Sequence, residues 1–554
     1  MDKDQGAQSC RRAVLALILL SMIAWLPGFF TLPPLDRDES RFAQATKQML
    51  ETGDFIDIKL GDANRYEKPV GIYWLEAAST AVFGGGARET IWTYRVPSFL
   101  GATAAVLATF LIARLFASVE AAFAAGAVLA LSVLLMTEAK IAKTDAMLAG
   151  TVTVMQWVMM RAYLSARPAS GVAAPGIGLA LLGWAAFGLG VLVKGPLIAL
   201  ICGLSAIGVS LLDRDARWLK RLHAGKGVAL AILMVLPWLI AIGIASHGAF
   251  YQQSLGQDFG GKIMGDAEAH GAPPGYFAVL AHITLWPGSI ALLPALVLGW
   301  KRRKEPAIRY LLCWVVTTWL MFELVPTKLP HYVLPAYPAL AVLCGLWLTE
   351  IGSTESKVER IARYASLALF VLVGLALAGF FAMAPQRFGS GSPWWLYVGA
   401  AVGAFVILAT VPLSNNRRRA AAMAALGALV LYELAGFATI PRLEALWVSP
   451  RLAEAVMRHA LPNDPPVVTA GYAEPSASFL LGTNTKLLLG PEAGKTAAMD
   501  GGLALVDEGE RAGFLDAVAA SGARADALEE IGGLNYSRGR EVRITVYRVT
   551  REPR

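Results

Sequence analysis

Charged side chains that could do chemistry gather in the first long polar stretch of the sequence. Two adjacent carboxylates are followed by an arginine and, further on, by a tyrosine, a glutamate and a lysine: Asp38, Glu39, Arg41, Tyr66, Glu67 and Lys68. A carboxylate can act as a general base, and Lys or Arg can stabilise the charge of a departing phosphate. The combination indicates a group transfer that releases a phosphate, with Asp38 and Glu39 as catalytic candidates. A solvated acidic turn is the alternative for Glu39.

Further candidates stand beside apolar runs later in the chain: Lys140, Lys143, Asp145, Lys194, Lys328, His331 and Tyr332. A lysine in an apolar setting is costly and usually has an anionic partner, although any single lysine can instead snorkel to the membrane surface. We expect Asp145 to join the catalytic carboxylates, and Lys194 and Lys328 to bind phosphate together with Lys68 of the first polar stretch.

His270 is the candidate for a metal ligand. It follows several carboxylates and precedes a Pro-Pro-Gly-Tyr stretch, so that a divalent cation held by His270 and a carboxylate is one interpretation. A histidine at the protein surface is the other. The four cysteines, Cys10, Cys202, Cys313 and Cys344, are too widely spaced for a CxxC site.

The elements that must position these residues are membrane helices. The chain has 554 residues, of which 56% are hydrophobic and 16% are charged, whereas soluble proteins average about 25% charged residues. A membrane span needs about 20 apolar residues as a helix. Thirteen apolar runs are centred near Leu20, Val106, Val128, Met155, Leu182, Cys202, Val235, Leu292, Val316, Leu343, Val371, Val402 and Leu426. The sequence therefore predicts a mainly α, polytopic membrane protein with about thirteen transmembrane helices.

Lys and Arg residues predict the orientation of these spans. Arg11 and Arg12 precede the first run, and basic clusters occupy alternate loops, which places the N-terminus in the cytoplasm and explains the net charge of +8 without a nucleic-acid partner. We expect residues 1–440 to form a membrane domain whose long first loop, 33–95, lies outside. Residues 441–554 should form a small soluble α/β domain on the same, non-cytoplasmic side.

Local patterns refine two of these regions. Asp36 and Glu39 have capping-box spacing, and apolar residues recur at helical intervals up to Gly53, which predicts an amphipathic helix on the membrane surface. In the C-terminal region we predict strands at 467–480, 485–489, 502–506 and 541–549 and a helix at 508–520.

Carboxylates, several lysines and a possible metal site at the outer membrane face suit one class of substrate. Displacement at the anomeric carbon of a polyprenyl-phosphate sugar releases a lipid phosphate, which Lys, Arg or a metal ion can stabilise. An acceptor hydroxyl would need a carboxylate base; an acceptor phosphate would not.

Five motifs in order then carry a resemblance: Asp38-Glu39-Ser40-Arg41-Phe42, Tyr66-Glu67-Lys68-Pro69 before Tyr73-Trp74-Leu75, Thr144-Asp145, Lys194-Gly195-Pro196 and Lys328-Leu329-Pro330-His331-Tyr332. They resemble the bacterial family 39 glycosyltransferases of the GT-C fold. That family includes the lipid A 4-amino-4-deoxy-L-arabinose transferases and is related to protein O-mannosyltransferases.

The resemblance implies a role for each matching residue. Asp38 would be the first-loop catalytic aspartate with Arg41 beside it. Glu67 would contribute to a metal site and Lys68 would bind phosphate. Further cavity residues would be Asp145, Lys194, Lys328, His331 and Tyr332, with Tyr66 beside the Glu-Lys pair and His270 near the metal.

The implied function is an inverting transfer of a sugar from undecaprenyl phosphate to an envelope acceptor, lipid A or lipopolysaccharide, without a nucleotide cofactor. Transfer to protein or to another glycan is one alternative. A lipid or solute transporter, or a non-catalytic receptor, is an alternative of a different class, although no paired broken helices of the transporter type are evident.

Overall fold

Helices dominate the computed structural model, which describes residues 3–254, 256, 272–350 and 355–551. Within that part of the chain, eight helices are long and apolar enough to cross a membrane: Gln5–Trp25, Ile91–Ala113, Ile177–Lys194, Ala224–Ala245, Pro306–Leu324, Pro330–Thr349, Lys357–Phe388 and Arg417–Arg442. A ninth results if Tyr276–Thr284 and Gly288–Lys301, bent by 119°, are counted together.

All thirteen predicted centres lie within helices, but fewer than thirteen helices pass as spans by themselves. Three apolar helices are shorter, Val119–Leu131, Leu197–Asp213 and Trp394–Leu408, and fall below the length of about 20 residues that a perpendicular span needs. Thr144–Ser165 is long enough but is not among the eight. The described residues thus confirm a mainly helical membrane protein.

Close packing fixes the helix that begins with Thr144 and Asp145. A Cβ atom at Gly101 would lie 2.5 Å from the Cα of Met147, and one at Gly150 would lie 2.4 Å from the carbonyl oxygen of Gly101. The backbones of Ile91–Ala113 and Thr144–Ser165 are therefore in direct contact, as small residues permit between membrane helices.

The first loop, residues 33–95, contains two helices and a small hairpin. Asp38–Thr52, hereafter the loop helix, is followed by the antiparallel strands Lys59–Leu60 and Ala63–Asn64 and by the helix Gly71–Phe83. The loop helix ends as predicted, because Gly53 adopts a left-handed conformation with φ of 74°.

The start and the surroundings of the loop helix differ from the prediction. Arg37 is the N-cap residue and no side chain caps the helix. The Glu39 carboxylate instead accepts a hydrogen bond from the Leu35 amide, and the Asp36 carboxylate accepts one from the Ser476 hydroxyl. The prediction of a capping box is therefore wrong. Polar side chains are buried along with the apolar face, because Gly71–Phe83 and Pro475–Leu481 both pack on the helix.

The C-terminal segment, defined as residues 448–551, contains a mixed five-stranded sheet. The strand order is Lys486–Leu488, Val468–Ala470, Gly502–Asp507, Arg540–Arg551 and Ala523–Asn535. The first three strands are parallel and the last two pairings are antiparallel. Four helices accompany them: Val448–His459, Pro475–Leu481, Gly490–Asp500 and Arg511–Ala520.

Four of these strands and the helix lie where the sequence predicts them. The predicted strand 467–480 is wrong in its second half, where Pro475 occupies a first-turn position of a helix that ends before Gly482. The strand Ala523–Asn535 lies outside the predicted strands, because its large apolar residues, Leu528, Ile531 and Leu534, recur every third residue and not every second.

Candidate active site

A cavity of about 680 Å³ lies where the first loop meets several membrane helices. Its polar wall combines three carboxylates with five cationic side chains, a histidine and a tyrosine: Asp38, Arg41, Arg65, Glu67, Lys68, Lys143, Asp145, Lys194, His331 and Tyr332. The rest of the wall is mainly apolar and includes Leu200, Val235, Trp238, Phe250 and Met321. The cavity therefore offers both a cationic region and an apolar region to one ligand.

Most of the residues predicted from the sequence meet in this cavity. Eight of them line it: Asp38, Arg41, Glu67, Lys68, Asp145, Lys194, His331 and Tyr332. Three others are described but do not line it, Glu39, Tyr66 and Lys328. His270 and its neighbouring carboxylates lie outside the described residues.

An ionic cluster around Asp145 forms one end of the polar wall. Lys194 Nζ donates to Asp145 Oδ1 at 2.5 Å, and Lys143 Nζ lies 3.5 Å from Asp145 Oδ2 and 3.0 Å from Glu138 Oε1. His331 stands beside them, with Nε2 3.9 Å from Asp145 Oδ1 and Nδ1 3.5 Å from Lys143 Nζ. Two cations thus share one cavity carboxylate.

Helix ends place the charges of this cluster. Asp145 lies in the first turn of Thr144–Ser165 and Lys194 is the last residue of Ile177–Lys194, positions that the helix dipole favours for an anion and a cation respectively. Gly195 then takes φ of 66° and ψ of −145°, a conformation that favours glycine, and the helix Leu197–Asp213 follows Pro196. The Lys-Gly-Pro sequence is therefore the joint that brings Lys194 to the cavity.

The first loop supplies the remaining carboxylates and three of the cations of the polar wall. Asp38 is exposed and starts the loop helix, and none of the hydrogen bonds among the described residues uses its carboxylate. Arg65 is buried between Tyr73 Oη at 3.1 Å and Glu67 Oε1 at 3.3 Å. Burial by itself would lower the pKa of Arg65, but Tyr73, Glu67 and Asp38 hold it above its ordinary value. Lys68 Nζ donates to the carbonyl oxygen of Glu67 at 2.9 Å.

The three predicted residues that do not line the cavity are held by contacts to other parts of the protein. Glu39 is buried against Arg95. Tyr66 Oη donates to Asp57 at 2.7 Å, and burial raises the pKa of this phenol. Lys328 is buried with Nζ 3.3 Å from the carbonyl oxygen of Val325.

Two cationic residues of the wall received no role from the sequence. Arg65 precedes the Tyr-Glu-Lys-Pro motif and was not singled out, although its two-residue spacing from Glu67 was a possible signal. Lys143 is among the charged residues that stand beside apolar runs, but its position in the sequence indicates no particular role. Its contacts to Glu138 and Asp145 join it to the cluster.

The described residues do not by themselves form a metal site. No group of three or more His, Cys, Asp or Glu side chains that could hold an ion occurs among them. Glu67 pairs with Arg65, and its side chain is 45% exposed. We therefore derive no step of the reaction through a metal ion.

The chain resembles known proteins in both sequence and fold. Residues 67–240 match the family model described as dolichyl-phosphate-mannose-protein mannosyltransferase. An undecaprenyl phosphate-alpha-4-amino-4-deoxy-L-arabinose arabinosyl transferase from Pseudomonas paraeruginosa is 29% identical over 386 residues, 68% of this chain and 66% of that protein. Its namesake from Pectobacterium carotovorum is 27% identical over 73% of this chain and 72% of that protein.

Solved structures show the fold. The crystal structure of ArnT from Cupriavidus metallidurans bound to undecaprenyl phosphate has a TM-score of 0.75, with 18% identity, over 98% of this chain and 99% of that one. The archaeal oligosaccharyltransferase AglB from Archaeoglobus fulgidus has a TM-score of 0.51, with 13% identity, over 90% of this chain and 69% of that one. The sequence match spans just under two thirds of the Pseudomonas relative. The structural match, in contrast, spans almost the whole of the ArnT chain. As the motif series predicts, the chain resembles the GT-C glycosyltransferases and shares the fold of ArnT.

Proposed function

We propose that the protein is an integral-membrane inverting glycosyltransferase that moves 4-amino-4-deoxy-L-arabinose from undecaprenyl phosphate to lipid A. The observation that carries the proposal is one cavity in which Asp38, Lys143, Asp145 and Lys194 meet an apolar wall. A polyprenyl phosphate is complementary to this cavity, because its anionic head suits the cationic side chains and its apolar chain suits the apolar wall. The named relatives support the identity of the sugar and of the lipid carrier.

The transfer breaks the bond between the anomeric carbon and the phosphate oxygen. Lys194 and Lys143 are placed to stabilise the negative charge that the leaving phosphate gains. Asp38 is exposed in the same polar wall, where a carboxylate can stabilise the positive charge at the anomeric carbon or take a proton from an acceptor hydroxyl. If the acceptor oxygen belongs to a phosphate of lipid A, no proton need be removed.

The same proposal includes the topology. Residues 1–440 would form the membrane domain with thirteen spans, and residues 441–554 a soluble domain that shares the periplasmic side with the loop 33–95 and with the cavity. The basic loops of the sequence support this orientation. A divalent cation held by Glu67 and His270 remains a prediction.

Transfer by the purified protein tests the function. The full chain in nanodiscs is given undecaprenyl-phosphate-linked aminoarabinose and lipid A, and the lipids are analysed by mass spectrometry. We expect lipid A to gain one aminoarabinose and undecaprenyl phosphate to be released in equal amount. Asp38→Asn should slow the transfer by about 10²- to 10⁴-fold, whereas Asp62→Asn, an exposed carboxylate of the same loop, should transfer normally.

A second acceptor class has one observation in its favour, because the family model that matches 67–240 describes a protein mannosyltransferase. A parallel reaction with an unfolded polypeptide as acceptor therefore accompanies the assay. Sugar on the polypeptide and none on lipid A would replace the proposed acceptor. The absence of transfer to any acceptor, with an intact donor and folded protein, would exclude the proposed function.

A further inference from the structure

The C-terminal segment touches the chain directly ahead of Asp38. The hydroxyl of Tyr536 accepts a hydrogen bond from the backbone amide of Asp36 at 2.7 Å. The guanidinium group of Arg37 donates to the carbonyl oxygen of Ser537. Both residues that lead into the loop helix are therefore held by the turn between the strands Ala523–Asn535 and Arg540–Arg551.

A second set of contacts reaches the Asp36 side chain. Its Oδ1 accepts from both the hydroxyl and the backbone amide of Ser476, the latter at 3.3 Å. Ser476 Oγ also lies 2.6 Å from Ser449 Oγ, which is 2.9 Å from the hydroxyl of Tyr472. These serines are buried, so the contact is part of the packed core of the C-terminal segment.

Glu474 organises the turn that holds Asp36 and Arg37. This buried carboxylate accepts from Asn535 Nδ2 at 2.8 Å, from Ser537 Oγ at 2.8 Å and from Arg538 Nε at 3.1 Å. Ser537 and Arg538 belong to the turn itself, and Asn535 is the last residue of the strand that leads into it. The position of Tyr536 and Ser537 is thus fixed from inside the C-terminal segment.

The backbone at Arg37 shows why such support is needed. Arg37 has φ of 69° and ψ of −114°, a conformation that residues other than glycine rarely adopt. Strained backbone of this kind persists only where surrounding contacts hold it. It sets the direction in which the loop helix starts, and Asp38 is the first residue of that helix.

We propose that the C-terminal segment is a clamp that holds Asp36 and Arg37 and thereby positions Asp38 at the cavity. Tyr536, Ser476 and Glu474 are positioning residues in this arrangement, since they act through the backbone ahead of Asp38. The inference rests on the proposed function, in which Asp38 acts on the transferred sugar.

Variants of the full-length protein in nanodiscs test the clamp. Tyr536→Phe removes the acceptor of the Asp36 amide, and Ser476→Ala removes the hydroxyl donor to its carboxylate. Thr483→Val is the matched control, because Thr483 accepts from Gln44 at 2.8 Å and so joins the same segment to the same helix further along. Hydrogen–deuterium exchange of peptides covering 33–42 is measured together with transfer kinetics.

We expect faster exchange in peptides 33–42 for Tyr536→Phe and Ser476→Ala, and wild-type exchange there for Thr483→Val. The kcat of the first two variants should fall by about 10- to 100-fold, as for a misplaced catalytic group. Their KM for the lipid donor should stay within about twofold, because ground-state binding is retained. Thr483→Val should keep both constants.

Two results would overturn the clamp: unchanged exchange at 33–42 in both test variants, or faster exchange with unchanged kcat. If Tyr536→Phe does not fold, Ser476→Ala decides by the same two criteria. If the wild-type protein transfers no sugar, the proposed function fails while the exchange experiment still decides whether the segment holds this backbone.

Discussion

Glu39 and Arg95 form a two-pronged ion pair in which both side chains are completely shielded from solvent. Arg95 Nε donates to Glu39 Oε1 at 2.8 Å and Nη2 donates to Oε2 at 3.0 Å. The same carboxylate also accepts from the amides of Leu35 and Ala142, at 2.8 and 2.9 Å. Glu39 therefore joins the first loop, the helix Ile91–Ala113 and the turn ahead of Lys143, whereas its neighbour Asp38 faces the cavity.

Glu39→Gln should destabilise the protein strongly. Removing one partner of a buried ion pair leaves an uncompensated charge and typically costs about 3–5 kcal/mol. We expect a clearly lower Tm in thermal unfolding of the detergent-solubilised chain. Glu51→Gln changes an exposed glutamate in the last turn of the same helix and should unfold like the wild type. An unchanged Tm for Glu39→Gln would show that the pair contributes little.

Lys194→Ala should weaken binding of undecaprenyl phosphate. A hydrogen bond to a charged group contributes about 1.5–3 kcal/mol, which corresponds to a roughly 10- to 150-fold higher Kd. Asp145 retains Lys143 at 3.5 Å, so we expect the variant to fold. Titration with the lipid, followed by tryptophan fluorescence, measures the Kd, and Lys220→Ala on the opposite basic loop is the control. An unaltered Kd would restrict Lys194 to pairing with Asp145.

Asp36 should make the contact between the first loop and the C-terminal segment sensitive to pH. Burial raises the pKa of Asp36 from 3.8 to about 6, against the lowering effect of Ser476 and with a smaller raising effect of Glu474. Because the pKa is higher in the folded state, the neutral Asp36 carboxyl favours folding. This contribution to the free energy of unfolding is complete below about pH 4 and is lost as the pH rises through about 6. The full effect is about 3 kcal/mol for a shift of this size.

The measurement compares wild type with Asp36→Asn, which keeps an acceptor for Ser476 but does not titrate. Tyr472, Glu474 and Tyr536 also surround this site, and both proteins retain them. We expect the Tm of Asp36→Asn, relative to wild type, to rise between pH 4 and pH 7. A constant difference in Tm over that range would contradict the assigned pKa.

Surface labelling should place the first loop and the C-terminal segment on one side of the membrane. In a variant without native cysteines, single cysteines replace Asp62 and Ser521, both exposed. A membrane-impermeant maleimide should label both in intact spheroplasts and should label a cysteine at Lys220 only after lysis. Protection of either outer position would contradict the proposed orientation.

Residue type and local spacing were sufficient to predict most of the candidate site. Carboxylates and lysines beside apolar runs are unusual enough to stand out, and Asp38, Asp145 and Lys194 do meet at one cavity. Apolar length likewise predicted where helices lie. These signals are local, and each could be read within a window of about 20 residues.

Relationships between distant residues could not be predicted in this way. The sequence left Glu39 as either a catalytic candidate or part of a solvated acidic turn, and only the fold shows that its carboxylate pairs with Arg95, 56 positions away. The pairing of Asp36 with Ser476 spans 440 positions. Arg65 was missed although Glu67 is only two positions away, because its burial and its hydrogen bond to Tyr73 Oη are properties of the fold.

The contact between Gly101 and Gly150 limits how the site can change during evolution. Any side chain at either position would have to push two helix backbones apart, since its Cβ would lie within 2.5 Å of main-chain atoms. Asp145 lies in the same helix as Gly150, about one and a half turns away, and would move with it. Neither glycine lines the cavity, yet a side chain at either would displace the helix that carries Asp145. We therefore expect selection to retain a bare hydrogen atom at both positions.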